Sequence, residues 1–152
     1  MGKRINYADY AKVSPEGFKA FGGVYVYLRK CGLPEELIDL VYLRVSQING
    51  CAYCIDMHSR ELRNLGVSPE KIALVPVSGE AGHLFDARER AALAWADVVT
   101  RIADTGAPDS AYAQVSERFE DKELADLTIA IGLMNAYNRL AIGFRNPPKA
   151  AT

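Results

Sequence analysis

Two cysteines and a histidine near the middle of the chain have the residue types and the spacing that thiol chemistry requires. Cys51 and Cys54 form a Cys-x-x-Cys pair, and His58 follows Cys54 by four positions. Residues three and four apart lie on one face of a helix, so the two thiols and the imidazole would form a row. A thiolate is the reactive form of cysteine, and a neighbouring imidazole can accept the thiol proton. The pattern predicts two-electron redox chemistry, in which a sulfenic acid on one sulfur condenses with the other thiol to a disulfide.

The same three residues also allow a structural and a metal-binding interpretation. Free cysteine is among the most buried residue types, so the pair and His58 could simply pack in the core. Cysteine and histidine are zinc ligands too, but a structural zinc site needs four ligands, and the chain has neither a second Cys-x-x-Cys nor a pair of histidines. The redox interpretation is favoured because both thiols share the apolar stripe of the helix with Leu62 and Leu65. We expect neither a metal ion nor a bound cofactor.

An acidic residue on the preceding helix is placed to reach the histidine. A turn at Asn49-Gly50 would fold a helix that starts near Pro34 back against the cysteine helix. Asp39 precedes Gly50 by 11 residues and His58 follows it by eight. At a rise of about 1.5 Å per residue, the two positions differ in height by roughly 4 to 5 Å. Asp39 is therefore a candidate orienting carboxylate, and the alternative is an ordinary acid in the first turn of a helix.

Composition and charge narrow the class of protein. The 152 residues are 49% hydrophobic and 24% charged, which is typical of one globular domain. The chain has 18 basic and 19 acidic residues, so its overall charge does not favour binding to nucleic acid or to an anionic membrane surface. No segment reaches the roughly 18 apolar residues of a membrane span. Three cysteines without an apolar leader predict a soluble protein of the reducing cytoplasm.

Helix punctuation along the chain predicts an all-α fold. Proline, glycine and capping residues predict helices over 15–31, 34–48, 51–65, a short stretch from 69, 86–104, 110–119 and 121–144. This gives six or seven helices in a single domain over residues 1–145, with a loop at 77–85 and a tail at 146–152. The last helix is apolar on opposite sides, so it is either central in the domain or part of a subunit interface.

The run from Leu43 to His58 resembles the core motif of the AhpD-like alkylhydroperoxidases in the carboxymuconolactone decarboxylase superfamily. A looser similarity covers 42–65, 89–95 and 135–140, and thus most of the chain. The resemblance implies an all-helical fold that assembles as homotrimers or homohexamers. It points to the thiol peroxidase branch, because the decarboxylase branch is not marked by this cysteine pair.

Four residue roles follow from the resemblance. Cys54 resembles the peroxide-attacking cysteine, and Cys51 resembles the resolving thiol and proton donor. His58 matches the relay histidine. The relay carboxylate of the family is typically a glutamate twelve positions before the first cysteine, where this chain has Asp39, which is one methylene shorter.

The other polar residues of interest have weaker signals. Ser46 lies within the motif as a further polar contributor, and Tyr53 stands where some members of the family carry a histidine. Cys31, at a predicted helix end, is expected to be structural. His83 is expected to be a loop residue.

The implied activity is the reduction of hydrogen peroxide or organic hydroperoxides. Turnover would need an external thiol donor, either a thioredoxin-like protein or a lipoyl-bearing partner. Two alternatives remain at this point, because one fold hosts many functions. One is a general thiol-disulfide oxidoreductase, and the other is a redox-responsive oligomer without catalytic turnover.

Overall fold

The computed structural model describes residues 2–152, and all regular structure in that part of the chain is helical. The α-helices are α1 Tyr7–Val13, α2 Pro15–Leu28, α3 Glu35–Asn49, α4 Ala52–Asn64, α5 Pro69–Ala73, α6 Ala87–Thr100, α7 Ile102–Thr105, α8 Asp109–Ser116 and α9 Asp121–Gly143. Short 3-10 turns occupy Val75–Glu80, Gly82–Leu84 and Lys149–Ala151. The prediction of an all-α fold is confirmed. No helix within residues 2–152 has the length and apolar character needed to cross a membrane.

The expected number of six or seven helices is too low, since the described residues form nine α-helices. One addition is α1, a helix of only seven residues that begins where the Asn6 side chain accepts the backbone N–H of Asp9. The other addition arises because the segment predicted as one helix over 86–104 is divided. Arg101 leaves the helical conformation there, at φ −98° and ψ 32°, and separates α6 from α7.

Helix α3 is the centre of the domain, because it packs against α4, α6 and α9. Its middle is almost completely buried, including the apolar side chains of Leu40, Val41, Leu43 and Val45. Helix α9 is also central, since it contacts α2, α3, α4, α6 and α8. Part of its surface stays open, where Ile129 is 44% exposed. Helix α4, which carries Cys54 and His58, contacts both of these central helices.

Buried amides join the end of α3 to α9. The Asn49 Nδ2 donates to Asn135 Oδ1 at 2.9 Å and to Asn138 Oδ1 at 3.0 Å. The Asn138 Nδ2 donates in turn to Ser46 Oγ at 3.0 Å. A buried polar group without a partner is costly, so this network favours one register of α3 against α9.

The turn from α3 to α4 depends on a single glycine. Gly50 adopts the left-handed conformation at φ 71° and ψ 36°, and its N–H bonds back to the last turn of α3. Cys51 follows directly as the N-cap of α4. A left-handed residue is unfavourable for any side chain with a Cβ, so glycine is the residue that suits this position.

We predict that Gly50→Ala lowers the free energy of unfolding by about 1 kcal/mol, because alanine is strained in the left-handed conformation. No atom lies within 4 Å of the added Cβ, so the conformation alone determines the effect. Gly23→Ala is the matched control, since Gly23 lies in the interior of α2 with open space around it. It should stabilise the protein by up to about 1 kcal/mol, because alanine favours helix. Urea unfolding of both variants checks the opposite signs, and a neutral Gly50→Ala would contradict the prediction.

Candidate functional site

The two cysteines of the motif are joined at the start of α4. Cys51 and Cys54 form a disulfide with their Cα atoms 5.3 Å apart. As the N-cap residue, Cys51 accepts the backbone N–H of Cys54 on its sulfur at 3.3 Å. Both side chains are almost completely buried. The helix N-terminus would stabilise negative charge on the Cys51 sulfur whenever the disulfide is reduced.

His58 lies one turn beyond Cys54 and is only 1% exposed. Its Nδ1 is 3.0 Å from Glu61 Oε2, and its Nε2 is 3.3 Å from Met134 Sδ. Tyr42 covers the ring at a centroid distance of 5.2 Å. A carboxylate only accepts hydrogen bonds, so the contact with Glu61 assigns a hydrogen to Nδ1. In the neutral ring, Nε2 is then the nitrogen free to accept a proton.

Glu61 is the site residue that the sequence interpretation missed. Burial by itself raises the pKa of Glu61, but the hydrogen bond and charge of His58, with Arg29 and Arg60, bring it below its usual value. The carboxyl group is therefore ionised at neutral pH. Its spacing was a usable signal, because a residue three positions after His58 lies beside it on the helix.

Asp39 comes close to His58, as the helical hairpin predicts. Ligand atoms of Asp39, His58 and Glu61 all lie within 4.8 Å of one another. The direct partner of Asp39 is nevertheless Arg29, whose Nη2 is 3.3 Å from Oδ1. Neither carboxylate oxygen of the fully buried Asp39 makes a hydrogen bond to a described residue. The predicted proximity is thus found, while the direct bond to His58 comes from Glu61.

The environment of Asp39 brings its titration into the neutral range. Burial raises the pKa of Asp39 to about 7, although the charge of Arg29 opposes this and those of Glu61 and Glu35 add to it. A carboxylic acid with this pKa can take up or release a proton near neutral pH. The site therefore combines one ionised carboxylate, Glu61, with one that titrates.

An apolar cavity of about 240 Å³ opens beside Cys54 and His58. The residues that line it are Tyr7, Phe18, Tyr25, Tyr53, Cys54, Met57, His58, Met134, Tyr137 and Ala141. We call this the aromatic cavity. Its walls come from α1, α2, α4 and α9, so only the complete fold assembles it.

Cys51 borders a different opening. A cleft of about 250 Å³ lies between the start of α4 and the tail, where it is lined by Cys51, Arg145, Pro147 and Pro148 among others. Ala141 borders this cleft as well as the aromatic cavity. The two cysteines of the disulfide therefore border two different cavities.

The acidic cluster around His58 also contains groups that bind metal ions, namely Asp39 and Glu61. A cation between them would meet the guanidinium of Arg29, which is already paired with Asp39. Among the described residues, no cluster of three metal-binding side chains includes Cys51 or Cys54, whereas a structural zinc site needs four ligands. The arrangement suits proton transfer better than metal binding.

The weaker candidates have ordinary surroundings. Ser46 is buried, donates to the carbonyl of Tyr42 at 2.7 Å and belongs to the network with Asn138. The thiol of Cys31 donates to the carbonyl of Leu28 at 3.2 Å. His83 is exposed in a 3-10 turn.

We predict a pH-dependent stability difference from Asp39. Because folding raises the pKa of Asp39 from 3.8 to about 7, the stability of the protein falls as the pH rises through that interval. Asp39→Asn stays neutral, so its stability relative to the parent should increase between about pH 4.5 and about pH 8. Urea unfolding across this range provides the measurement. Glu80→Gln, which changes an exposed carboxylate that does not contribute to the pKa of Asp39, is the control and should keep the parental slope; a parental slope in Asp39→Asn would refute the prediction.

Comparison with known proteins places the chain in a family. The profile of the carboxymuconolactone decarboxylase family matches residues 14–98, more than half of the chain. The uncharacterised protein YdfG of Bacillus subtilis is 31% identical over 146 residues, which cover 96% of this chain and 97% of YdfG. The alkyl hydroperoxide reductase AhpD of Bradyrhizobium diazoefficiens is 49% identical over 41 residues, only 27% of this chain and 22% of that protein.

A solved structure supports the same assignment. A protein of unknown function from Agrobacterium tumefaciens, whose description suggests an AhpD antioxidant defence protein, has a TM-score of 0.88 to this fold. It is 46% identical in sequence, and the match covers 97% of this chain and 98% of that one. The chain therefore belongs to the carboxymuconolactone decarboxylase family and has the AhpD-like fold.

Proposed function

We propose that this protein is a thiol-dependent peroxidase that reduces hydrogen peroxide or organic hydroperoxides through a sulfenic acid and disulfide cycle. The observation that carries the proposal is that Cys54 and His58 both line the aromatic cavity, while Cys51 forms a disulfide with Cys54. A nucleophile, its base and a resolving thiol are thereby combined at one place. The family membership and the AhpD-like relatives support the same chemistry.

In the first step, His58 accepts the proton of the Cys54 thiol on Nε2. The Cys54 thiolate attacks the terminal oxygen of the hydroperoxide, a sulfur–oxygen bond forms and the oxygen–oxygen bond breaks. The leaving alkoxide takes the proton back from His58 and departs as the alcohol, or as water if the substrate is hydrogen peroxide. Cys54 remains as the sulfenic acid.

In the second step, Cys51 resolves the sulfenic acid. Its thiol releases a proton, and the thiolate, which the N-terminus of α4 stabilises, attacks the Cys54 sulfur; the disulfide forms, and the hydroxide that leaves takes up that proton to become water. An external dithiol then returns two electrons and two protons to the pair by thiol-disulfide exchange. One cycle thus converts a hydroperoxide and a dithiol into an alcohol, water and a disulfide.

The two carboxylates have different tasks in this proposal. Glu61 holds the imidazole of His58 through Nδ1, so that Nε2 accepts the thiol proton. Asp39 lies within 4.8 Å of the same cluster and titrates near neutral pH, which suits it to exchange protons with His58. Asp39 thereby keeps the relay role that the resemblance implied, and Glu61 is added as the positioning residue.

The lining of the aromatic cavity favours organic hydroperoxides over hydrogen peroxide. Four tyrosine rings, one phenylalanine and two methionines supply most of its wall. Burying the organic part of a substrate against such a surface is favourable, whereas hydrogen peroxide gains nothing from it.

The partners in the proposed cycle follow from the same family resemblance. The electron donor is a thioredoxin-like or lipoyl-bearing protein. The working unit is a homotrimer or homohexamer, for which the open apolar side of α9 around Ile129 is a suitable contact surface. The proposed location is the cytoplasm, where thiols are regenerated.

We predict that reduced protein treated with cumene hydroperoxide loses two of its three thiols, those of Cys51 and Cys54. Cys31→Ser is the matched control and should still lose both, because Cys31 lies outside the site. Cys54→Ser should consume peroxide far more slowly than the parent protein. Cys51→Ser should stop at a sulfenic acid on Cys54, which dimedone labelling followed by mass spectrometry detects.

Three results would contradict the assignment. If Cys54→Ser consumes peroxide as fast as the parent, Cys54 is not the nucleophile. If the parent exchanges disulfides rapidly and leaves hydroperoxide untouched, the protein is a general thiol-disulfide oxidoreductase instead. Oxidation that alters assembly without turnover would indicate the redox-responsive oligomer.

We predict distinct pH profiles for variants of the two carboxylates, measured as peroxide turnover with dithiothreitol as the donor. Glu61→Gln should lower the rate by about tenfold at every pH, because a misoriented base loses part of its contribution to proton transfer. The parent should show an inflection near pH 7, and Asp39→Asn should remove it. Glu80→Gln, an exposed carboxylate remote from the site, is the control and should match the parent. An unchanged inflection in Asp39→Asn would exclude Asp39 from the relay.

A further inference from the structure

Met134 has a contact that neither the fold nor the proposed cycle requires. It lies on α9, lines the aromatic cavity and is only 2% exposed. Its Sδ is 3.3 Å from Nε2 of His58, the nitrogen that accepts the thiol proton in the proposed cycle. Met57, on α4, lines the same cavity and is more exposed. Two thioethers therefore adjoin the same space, and one of them contacts the imidazole.

We propose that Met134 is a modification site. In the disulfide form of the protein, a hydroperoxide in the aromatic cavity oxidises the thioether of Met134 to the sulfoxide. The inference rests on the proposed function, which brings hydroperoxide into this cavity. Once Cys51 and Cys54 are joined, neither can act as a thiolate nucleophile. A second hydroperoxide in the cavity then meets the thioethers of Met57 and Met134 as the remaining nucleophilic sulfurs of its lining.

The oxidation needs no further reagent. The Met134 sulfur attacks the terminal oxygen of the hydroperoxide, a sulfur–oxygen bond forms and the oxygen–oxygen bond breaks. A protonated His58 gives its Nε2 proton to the leaving alkoxide, which departs as the alcohol. The imidazole then takes up the proton carried by the oxygen that is now bound to sulfur, so that His58 is protonated again. The thioether is oxidised by two electrons and the hydroperoxide is reduced by two.

Proximity to His58 distinguishes Met134 from Met57. If exposure alone determined the rate, Met57 would be oxidised first, because it is the more accessible of the two. A proton donor at 3.3 Å assists loss of the alkoxide only at Met134. The chemistry and the exposure thus predict opposite orders of oxidation.

The modification would also act on the cycle. A sulfoxide oxygen is a much stronger hydrogen-bond acceptor than a thioether sulfur. On Met134 it would hold a proton on Nε2 of His58, which could then no longer accept the proton of the Cys54 thiol. Reduced protein that carries the sulfoxide should therefore react slowly with hydroperoxide. An excess of hydroperoxide would thus inactivate the protein by oxidising Met134.

The test treats the disulfide form of the full chain with cumene hydroperoxide and measures sulfoxide by mass spectrometry of tryptic peptides. Cleavage at arginine and lysine places Met57 and Met134 in separate peptides. We expect about fivefold more sulfoxide at Met134 than at Met57, because of the adjacent proton donor. In His58→Gln, the preference for Met134 should disappear. Equal oxidation of both residues in the parent, or faster oxidation of Met57, would overturn the proposal.

A second readout tests the consequence for activity. After treatment and reduction by dithiothreitol, turnover is compared with that of the same variant before treatment. The parent should lose activity in proportion to sulfoxide at Met134, and Met134→Leu should retain most of its own initial rate. Loss of activity to the same extent in Met134→Leu would contradict the proposed effect.

Thiol counting in parallel separates the two levels of the hypothesis. If Cys51 and Cys54 are oxidised by hydroperoxide and Met134 is not preferred over Met57, only the modification site is wrong. If the thiols are not oxidised either, the proposed peroxidase function fails together with it.

Discussion

The central constraint of this structure is the burial of a polar cluster between helices that are otherwise apolar. His58 is almost without solvent contact, so each of its nitrogens depends on a neighbour from the protein. The bond from Nδ1 to Glu61 supplies a charged partner within the same helix. Removing one partner of a buried polar pair costs far more than the pair contributes, so this bond fixes the ring in one orientation. The cysteines, the cavity and the neighbouring carboxylate are all arranged around that orientation.

Electrostatics then divide the two acidic residues. Both lie beside the same imidazole, and two carboxylates that are ionised together in a site with little solvent would repel each other. Glu61 is half-buried and bonds to the imidazole, whereas Asp39 is fully buried and has one guanidinium as its charged partner. The charge therefore resides on Glu61, and Asp39 is free to change protonation near neutral pH. Two residues of the same chemistry acquire different properties from their position alone.

Much of the site could be predicted from the sequence, because it depends on the geometry of single helices and one hairpin. The common face of Cys51, Cys54 and His58 follows from helical periodicity, and the approach of Asp39 follows from the rises on either side of Gly50, which differ by only roughly 4 to 5 Å.

Other features depend on contacts between distant segments. Glu61 has the correct spacing, but the spacing alone does not determine whether its carboxylate turns toward His58 or toward solvent. Tyr7 belongs to a helix too short to have a clear period, and its role in the cavity arises from tertiary packing. The contact of Met134 with His58 joins residues 76 positions apart, and no local pattern reports it.

Ala141 shows how one small side chain can control two spaces at once. It is 3% exposed and borders both the aromatic cavity beside Cys54 and the cleft beside Cys51. The partition between the two spaces is therefore thin at this position, with only a methyl group on α9 facing the disulfide region. A larger residue there would narrow both openings together, so one position on α9 sets the width of the approach to Cys54 and that of the approach to Cys51.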